Sequence, residues 1–222
     1  MTTGGAGEPA AWRMPTAADR AAALVRLPPF HPGMRIGLFG GSFDPPHEGH
    51  LKVSEVALAA LRLDQVWWLV SPHNPLKPHA PANLARRVAG ARALAHDPRI
   101  RVTAIEATLG TRYTAETLAR LGPRLRGVDL VWLMGADNLV SFHRWRDWRA
   151  IAASMPIAVF NRPGFALAAL CSPAARAMAG ARIREPTAGL LAGKPPPAWV
   201  FVTAPSVDLS STLLRAKGKS LS

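Results

Sequence analysis

The chain has 222 residues, 49% hydrophobic and 18% charged, with a formal net charge of +13. That size and balance give one globular unit with a real core, and no apolar run approaches the ~20 residues needed to span a bilayer. A single cysteine, Cys171, excludes an internal disulfide and, with no secretory signature, points to the reducing cytoplasm.

Residues 1–33 are rich in Ala, Gly and Pro and read as a mobile or loosely packed N-terminal extension. A short helix is expected from Thr16 to Val25, ended by Pro28, Pro29 and Pro32. Met34 stands directly before the first strand and is a candidate internal start; residues 34–222 read as a single domain. Ile36-Gly37-Leu38-Phe39 is a buried strand, which Gly40-Gly41-Ser42 is expected to break because glycine reaches backbone angles closed to other residues. Asp44-Pro45-Pro46 forces an extended turn, His47-Glu48-Gly49-His50 follows, and a helix is predicted from Leu51 to Leu63. Further strands are predicted at Val66–Val70, Ile100–Ile105, Asp129–Met134, Pro156–Phe160 and Trp199–Val202. Helices are predicted at Leu84–His96, Thr114–Leu121, after Asn138 and across Ala166–Ala181, and Ser210-Ser211-Thr212 caps a last short one.

Strands alternating with helices favour an α/β architecture with a doubly wound parallel sheet. In such sheets ligands sit outside the carboxyl ends of the strands. The loops at 40–50, 71–78, 110–114, 135–138 and 205–212 each follow a predicted strand, so residues far apart in sequence are expected to converge on one crevice. The first of these, strand then glycine turn then helix start, leaves N–H groups and a positive dipole end suited to phosphate.

The opening motif is not GxGxxG, lacks the lysine of GxxxxGK[ST], and spaces its histidines too closely for HExxH. Two histidines alone make a weak metal site, and none is assigned. Instead GGSFDPPHEGH resembles the signature of nucleotidyltransferases with an HxGH box. Within that superfamily three further segments resemble bacterial nicotinate mononucleotide adenylyltransferases: Thr111-Arg112-Tyr113-Thr114-Ala115-Glu116-Thr117; Met134-Gly135-Ala136-Asp137-Asn138 with Phe142-His143-Arg144-Trp145; and Leu209-Ser210-Ser211-Thr212 with Arg215. HxGH alone indicates only the superfamily; the other segments narrow it.

The resemblance implies a Rossmann-like nucleotidyltransferase fold and transfer of the adenylyl group of ATP to nicotinate mononucleotide, giving nicotinate adenine dinucleotide and pyrophosphate, with Mg²⁺ accompanying ATP. It implies that His50 and His47 are catalytic. On the ATP side it adds Gly40, Gly41, Ser42, Gly135, Asp137, Ser211, Thr212 and Arg215. On the acceptor side it implies Asn74, Lys77, Tyr113, Thr114 and Trp145, with Trp148 reading as core. Glu116, in the first turn after Tyr113, opposes the field that a carboxylate needs there. Rival readings keep the fold with another acceptor, nicotinamide mononucleotide or phosphopantetheine, or make the +13 charge an RNA-binding surface. Arginines scattered from Arg13 to Arg215, without a block of like charges, argue against nucleic acid, and nothing points to a membrane partner.

Overall fold

The structure is a computed structural model and describes residues 25–72 and 83–203. Its strands are β1 (Arg35–Gly41), β2 (Gln65–Val70), β3 (Ile100–Thr103), β4 (Asp129–Gly135), β5 (Ile157–Phe160) and β6 (Trp199–Val202). They form a 6-stranded sheet in the order β3-β2-β1-β4-β5-β6, and every pairing is parallel. This is the doubly wound α/β arrangement. The chain winds outward from β1 to β3, then returns to lay β4 against the other side of β1. The boundary between β1 and β4 is therefore the topological switch point, where such sheets bind ligands.

The helices are α1 (Glu48–Ala60), α2 (Leu84–Leu94), α3 (Ile105–Leu109), α4 (Thr114–Leu121), α5 (Ala136–Ser141), α6 (Trp148–Ser154), α7 (Ala166–Leu170) and α8 (Pro173–Ala177). Successive strand residues face opposite sides of the sheet. Leu38, Trp67, Trp132 and Met134 join one core with Leu118 and Leu121 of α4. Phe39, Trp68, Val131 and Leu133 join the other with Leu58 of α1 and Val88 of α2. Burial on both faces accounts for the unbroken apolar runs in the sequence.

Several boundaries differ from the sequence expectation. Gly40 and Gly41 do not break the first strand; β1 runs through both. The third strand stops at Thr103, and Ile105 opens α3, because Ile105 and Leu109 at helical spacing both reach the core. The helix after the histidines starts at Glu48 and ends at Ala60 rather than spanning Leu51–Leu63. Ala166–Ala181 is not one helical piece. It splits at Ser172, whose Oγ accepts the Ala175 N–H at 3.2 Å, with Pro173 in the first helical position of α8.

Residues 25–33 are mostly exposed or half-buried but touch the core. Leu27 and Phe30 pack against it, and Phe30 meets Trp67 edge-on at 6.0 Å. The Gly33 N–H donates to the Gly127 carbonyl at 2.6 Å. The earlier part of the extension, Asn74 and Lys77, and the cap and helix expected around Ser211, Thr212 and Arg215 fall outside the described residues.

Candidate active site

The pairing register sets Gly41 opposite Val70, Gly135 opposite Phe160, and Phe160 opposite Val202, so the strands end in one row. Some buried side-chain polar atoms have no hydrogen-bond partner. Among the described residues they are His47 Nδ1, Trp132 Nε1, Asp137 Oδ1, His143 Nδ1, Trp145 Nε1 and Asn161 Oδ1. All lie on β4 itself or on connections leaving β1, β4 and β5. Native proteins satisfy nearly all buried polar groups, so those that follow the strand ends, on His47, Asp137 and Asn161, are candidates for contact with a ligand.

The two histidines open α1. His47 is its N-cap residue, 7% exposed, and its backbone N–H donates to His50 Nδ1 at 3.2 Å. With Nδ1 accepting, this hydrogen bond assigns the proton of the neutral His50 ring to Nε2. The imidazoles are 3.8 Å apart between ring centroids. Burial lowers the His47 pKa to about 4; the Arg162 guanidinium adds to the lowering and the Asp137 carboxylate opposes it. His47 is thus neutral at pH 7, and the ends of β1, β4 and β5 share one electrostatic field.

His50 is held from behind by aromatic rings that the sequence reading did not single out. Phe43 lies 4.6 Å from it, and Phe43 in turn stacks on Trp68 at 5.0 Å. Phe43 adopts φ 45°, a region that bulky side chains rarely occupy. The strained residue of the turn is therefore Phe43, not a glycine. Gly40 is required for a different reason: a Cβ there would stand 2.5 Å from the Trp132 ring. At Gly41 an added Cβ would press on the Phe43 ring at 3.2 Å.

Across the switch point, Asp137 sits in the first turn of α5, and its Oδ2 accepts from Arg162 Nη1 at 2.6 Å. A Cβ at Gly135 would collide with Asp137 Oδ1. Gly135 is thus the residue that lets the carboxylate fold back over the end of β4. Sequence reasoning missed Arg162. Its signal was present, because Arg162 follows the fifth predicted strand just as the chosen loops follow theirs.

A second cluster gathers at the start of α4. Tyr113 is its N-cap residue and Thr114 its first helical residue, and both are half-buried. The Arg146 guanidinium lies 4.8 Å over the Tyr113 ring and 3.4 Å from the Glu116 carboxylate. Arg146 thereby sets a positive charge beside Glu116. Trp145, adjacent to Arg146, is half-buried with its edge against Phe142 at 5.4 Å, whereas Trp148 is buried in the core. Under α4 a buried network joins Thr111, Thr117 and Glu106: the threonine hydroxyls are 2.8 Å apart, and Thr117 Oγ1 donates to Glu106 Oε1 at 3.2 Å. Burial raises the Glu106 pKa, while hydrogen bonds from Ser71 and Thr117 lower it.

Arg87 is another charged residue that sequence reasoning passed over. It is 3% exposed, on the same face of α2 as Val88 and Ala91. An arginine inside an apolar helical stripe was the available signal.

Known proteins resemble this chain closely. A family model described as cytidylyltransferase-like matches residues 38–217. A protein of Cereibacter sphaeroides named "Probable nicotinate-nucleotide adenylyltransferase" is 58% identical over 186 residues, covering 84% of this chain and 98% of its own length. One of the same name from Rhizobium meliloti is 55% identical over 184 residues, covering 82% of this chain and 98% of its own. The solved structure titled Plasmodium falciparum nicotinic acid mononucleotide adenylyltransferase complexed with NaAD has a likeness of fold, with a TM-score of 0.63 at 15% identity over 82% of this chain and 83% of that one. With its sheet order, its histidine-headed helix and relatives of this identity and coverage, the chain belongs to the cytidylyltransferase-like family and, within it, to the nicotinate-nucleotide adenylyltransferases.

Proposed function

We propose that this chain joins nicotinate mononucleotide to the AMP part of ATP, forming nicotinate adenine dinucleotide and releasing pyrophosphate. The observation that supports it most is geometric: His47 and His50 head the helix that follows β1, and Arg162 after β5 holds Asp137 after β4 at 2.6 Å. A phosphate loop and a sugar-binding carboxylate then face one crevice.

The chemistry asks little of a base. A nucleotide 5′-phosphate has its second pKa near ~6 and is mostly dianionic at pH 7. An oxygen of the mononucleotide phosphate attacks the α-phosphorus of ATP, forming a new P–O bond. The bond from that phosphorus to the bridging oxygen breaks, and its electron pair leaves with pyrophosphate. The site must hold the two in line and offset the charge that builds on the α-phosphate and the leaving group. His50 and His47 act on the phosphates, His50 as the principal donor to the transition state. Gly40, Gly41 and Ser42 give the nucleotides a close backbone wall. Arg162 orients Asp137 so that Oδ1 accepts from a ribose hydroxyl of ATP, and Gly135 makes room for that carboxylate.

On the acceptor side, main-chain N–H groups of Tyr113 and Thr114 at the start of α4 receive the nicotinate carboxylate, and Trp145 offers its face to the pyridine ring. By resemblance, Asn74 and Lys77 belong to this acceptor side, and Ser211, Thr212 and Arg215 to the β and γ phosphates. Mg²⁺ enters as part of the ATP substrate, its charge offsetting that of the phosphates. Among the described residues no group of three or more His, Cys, Asp or Glu side chains stands together to hold a metal by itself. No described helix is long and apolar enough to cross a membrane, and the exposed free thiol of Cys171 suits the cytoplasm, where we place the reaction.

The test is pyrophosphate release from ATP by purified protein supplied separately with nicotinate mononucleotide, nicotinamide mononucleotide and phosphopantetheine. Turnover favouring the nicotinate compound is expected. Preference for either of the others would reassign the acceptor, and RNA binding without pyrophosphate release would overturn the proposal.

A further inference from the structure

The buried guanidinium of Arg87 bridges the exits of β1 and β2. Its Nη1 donates to the Ser42 carbonyl at 2.6 Å and to the Ser71 carbonyl at 2.7 Å, and its Nη2 to the Pro72 carbonyl at 3.3 Å. The Ser71 N–H donates in turn to the Gly41 carbonyl at 2.9 Å, so the β1 and β2 exits are tied from both directions. A planar guanidinium carries five fixed donors and can serve several carbonyls at once; a lysine ammonium cannot reproduce that fork. Arg87 is buried against three carbonyls, with the Asp44 carboxylate also acting on it, on a helix otherwise turned to the core through Val88 and Ala91.

The Ser42 carbonyl matters because it belongs to the peptide plane that enters Phe43. Holding that oxygen fixes the plane about which Phe43 rotates. Phe43 needs such a constraint, since its φ of 45° is costly for an aromatic residue and persists only where the surroundings over-determine it. In that conformation its ring packs 4.6 Å from His50 and stacks on Trp68. We propose that Arg87 is a positioning residue for the reaction: by clamping the Ser42–Phe43 peptide to the β2 exit, it keeps the Phe43 ring behind His50 and so sets where the His50 imidazole stands.

This inference rests on the reading that His50 acts on the reacting phosphates. Arg87→Lys retains the charge and most of the volume but loses the fork. It is expected to lower kcat roughly tenfold or more, as displacement of a catalytic group by a fraction of an ångström does. The KM values for both nucleotides should change less than about threefold, because substrate contacts remain. The His50 imidazole proton resonances should also move as the Phe43 and Trp68 ring currents shift. If Arg87 acts through Phe43, Arg87→Lys introduced into Phe43→Leu should cost little beyond Phe43→Leu alone.

A folded Arg87→Lys enzyme with kcat within about twofold of the parent would overturn the proposal. So would fully multiplicative losses in the double variant, or an Arg87→Lys chain that does not fold, which would make the residue structural. His50→Ala, assayed alongside, separates the two readings. Normal turnover there removes His50 itself from the mechanism, whereas a large loss there with normal Arg87→Lys removes only the role given to Arg87.

Discussion

Asp137 Oδ2 stands 2.6 Å from Arg162 Nη1, while Asp137 Oδ1 is buried with no partner among the described residues. The guanidinium thus spends one carboxylate oxygen on orientation and leaves the other as an acceptor. Asp137→Asn keeps the shape but weakens both contacts. Charge-assisted hydrogen bonds are worth ~1.5–3 kcal/mol, so KM for ATP should rise roughly 10- to 100-fold, with a much smaller effect on KM for the acceptor. Steady-state kinetics with each nucleotide varied in turn checks this; an unaltered KM for ATP would take Asp137 out of the sugar site.

His50→Ala should reduce kcat by ~10²–10³, the usual loss for a donor aimed at transition-state charge. The same change removes the acceptor of the His47 N–H, a capping contact at the start of α1. A stability loss of about 1 kcal/mol should accompany it. Circular dichroism melts and pyrophosphate release on one preparation separate the two effects.

His47 ties stability to pH. Its imidazole titrates at about 4 in the folded chain against 6.5 ordinarily. Between those values the unfolded chain carries a proton that the folded chain does not. The contribution of this group is therefore complete above about pH 6.5 and is lost as pH falls toward 4. Denaturant midpoints measured across that window should fall more steeply for the parent than for His47→Gln. Parallel curves would mean that the ring is not held neutral.

Two glycines should respond differently to an added methyl. At Gly40 the new Cβ would stand 2.5 Å from the Trp132 ring. Overpacking of this kind costs ~1–3 kcal/mol, so the melting temperature of Gly40→Ala should drop by several degrees. At Gly135 the obstacle is the movable Asp137 carboxylate. Gly135→Ala should therefore lose ATP affinity with less loss of stability. Thermal melts and ATP titrations of both variants compare them, and equal behaviour would contradict the assignment.

Trp145→Ala should raise KM for nicotinate mononucleotide about tenfold, a fair return for one lost ring-stacking contact, and leave KM for ATP nearly unchanged. Trp148→Ala, by contrast, should act on stability, since that ring is buried. A rise in KM for ATP instead would move Trp145 to the other side of the crevice.

Much of this was legible in the linear chain because the signals are local. Apolar runs of strand length, separated by helical stretches, specify a parallel sheet covered on both faces. In such a sheet every strand-end loop faces the same crevice. That logic marks the loops that carry His47, His50, Tyr113, Gly135 and Asp137; the roles given to these residues, and Trp145 itself, come from the resemblance. The double glycine was recognised as special, but its reason lay elsewhere: whether a glycine serves a turn or a neighbouring ring depends on what packs against it, and Trp132 is far away in sequence. The strain at Phe43 was invisible for the same reason, since nothing in its local sequence favours a positive φ.

Charge partners were decided by the tertiary structure alone. Arg162 is 25 residues from Asp137, and Arg87 is 45 from Ser42. Neither pairing leaves a periodic trace, because an ion pair or a guanidinium bridge needs only that two chain segments end side by side. The amino-acid sequence determined which elements form and which loops share the rim through short-range patterns of apolarity and backbone preference. The packing of distant segments determined which carboxylate is oriented, which imidazole is kept neutral and which peptide is clamped, because burial and Coulombic interaction act through space rather than along the chain.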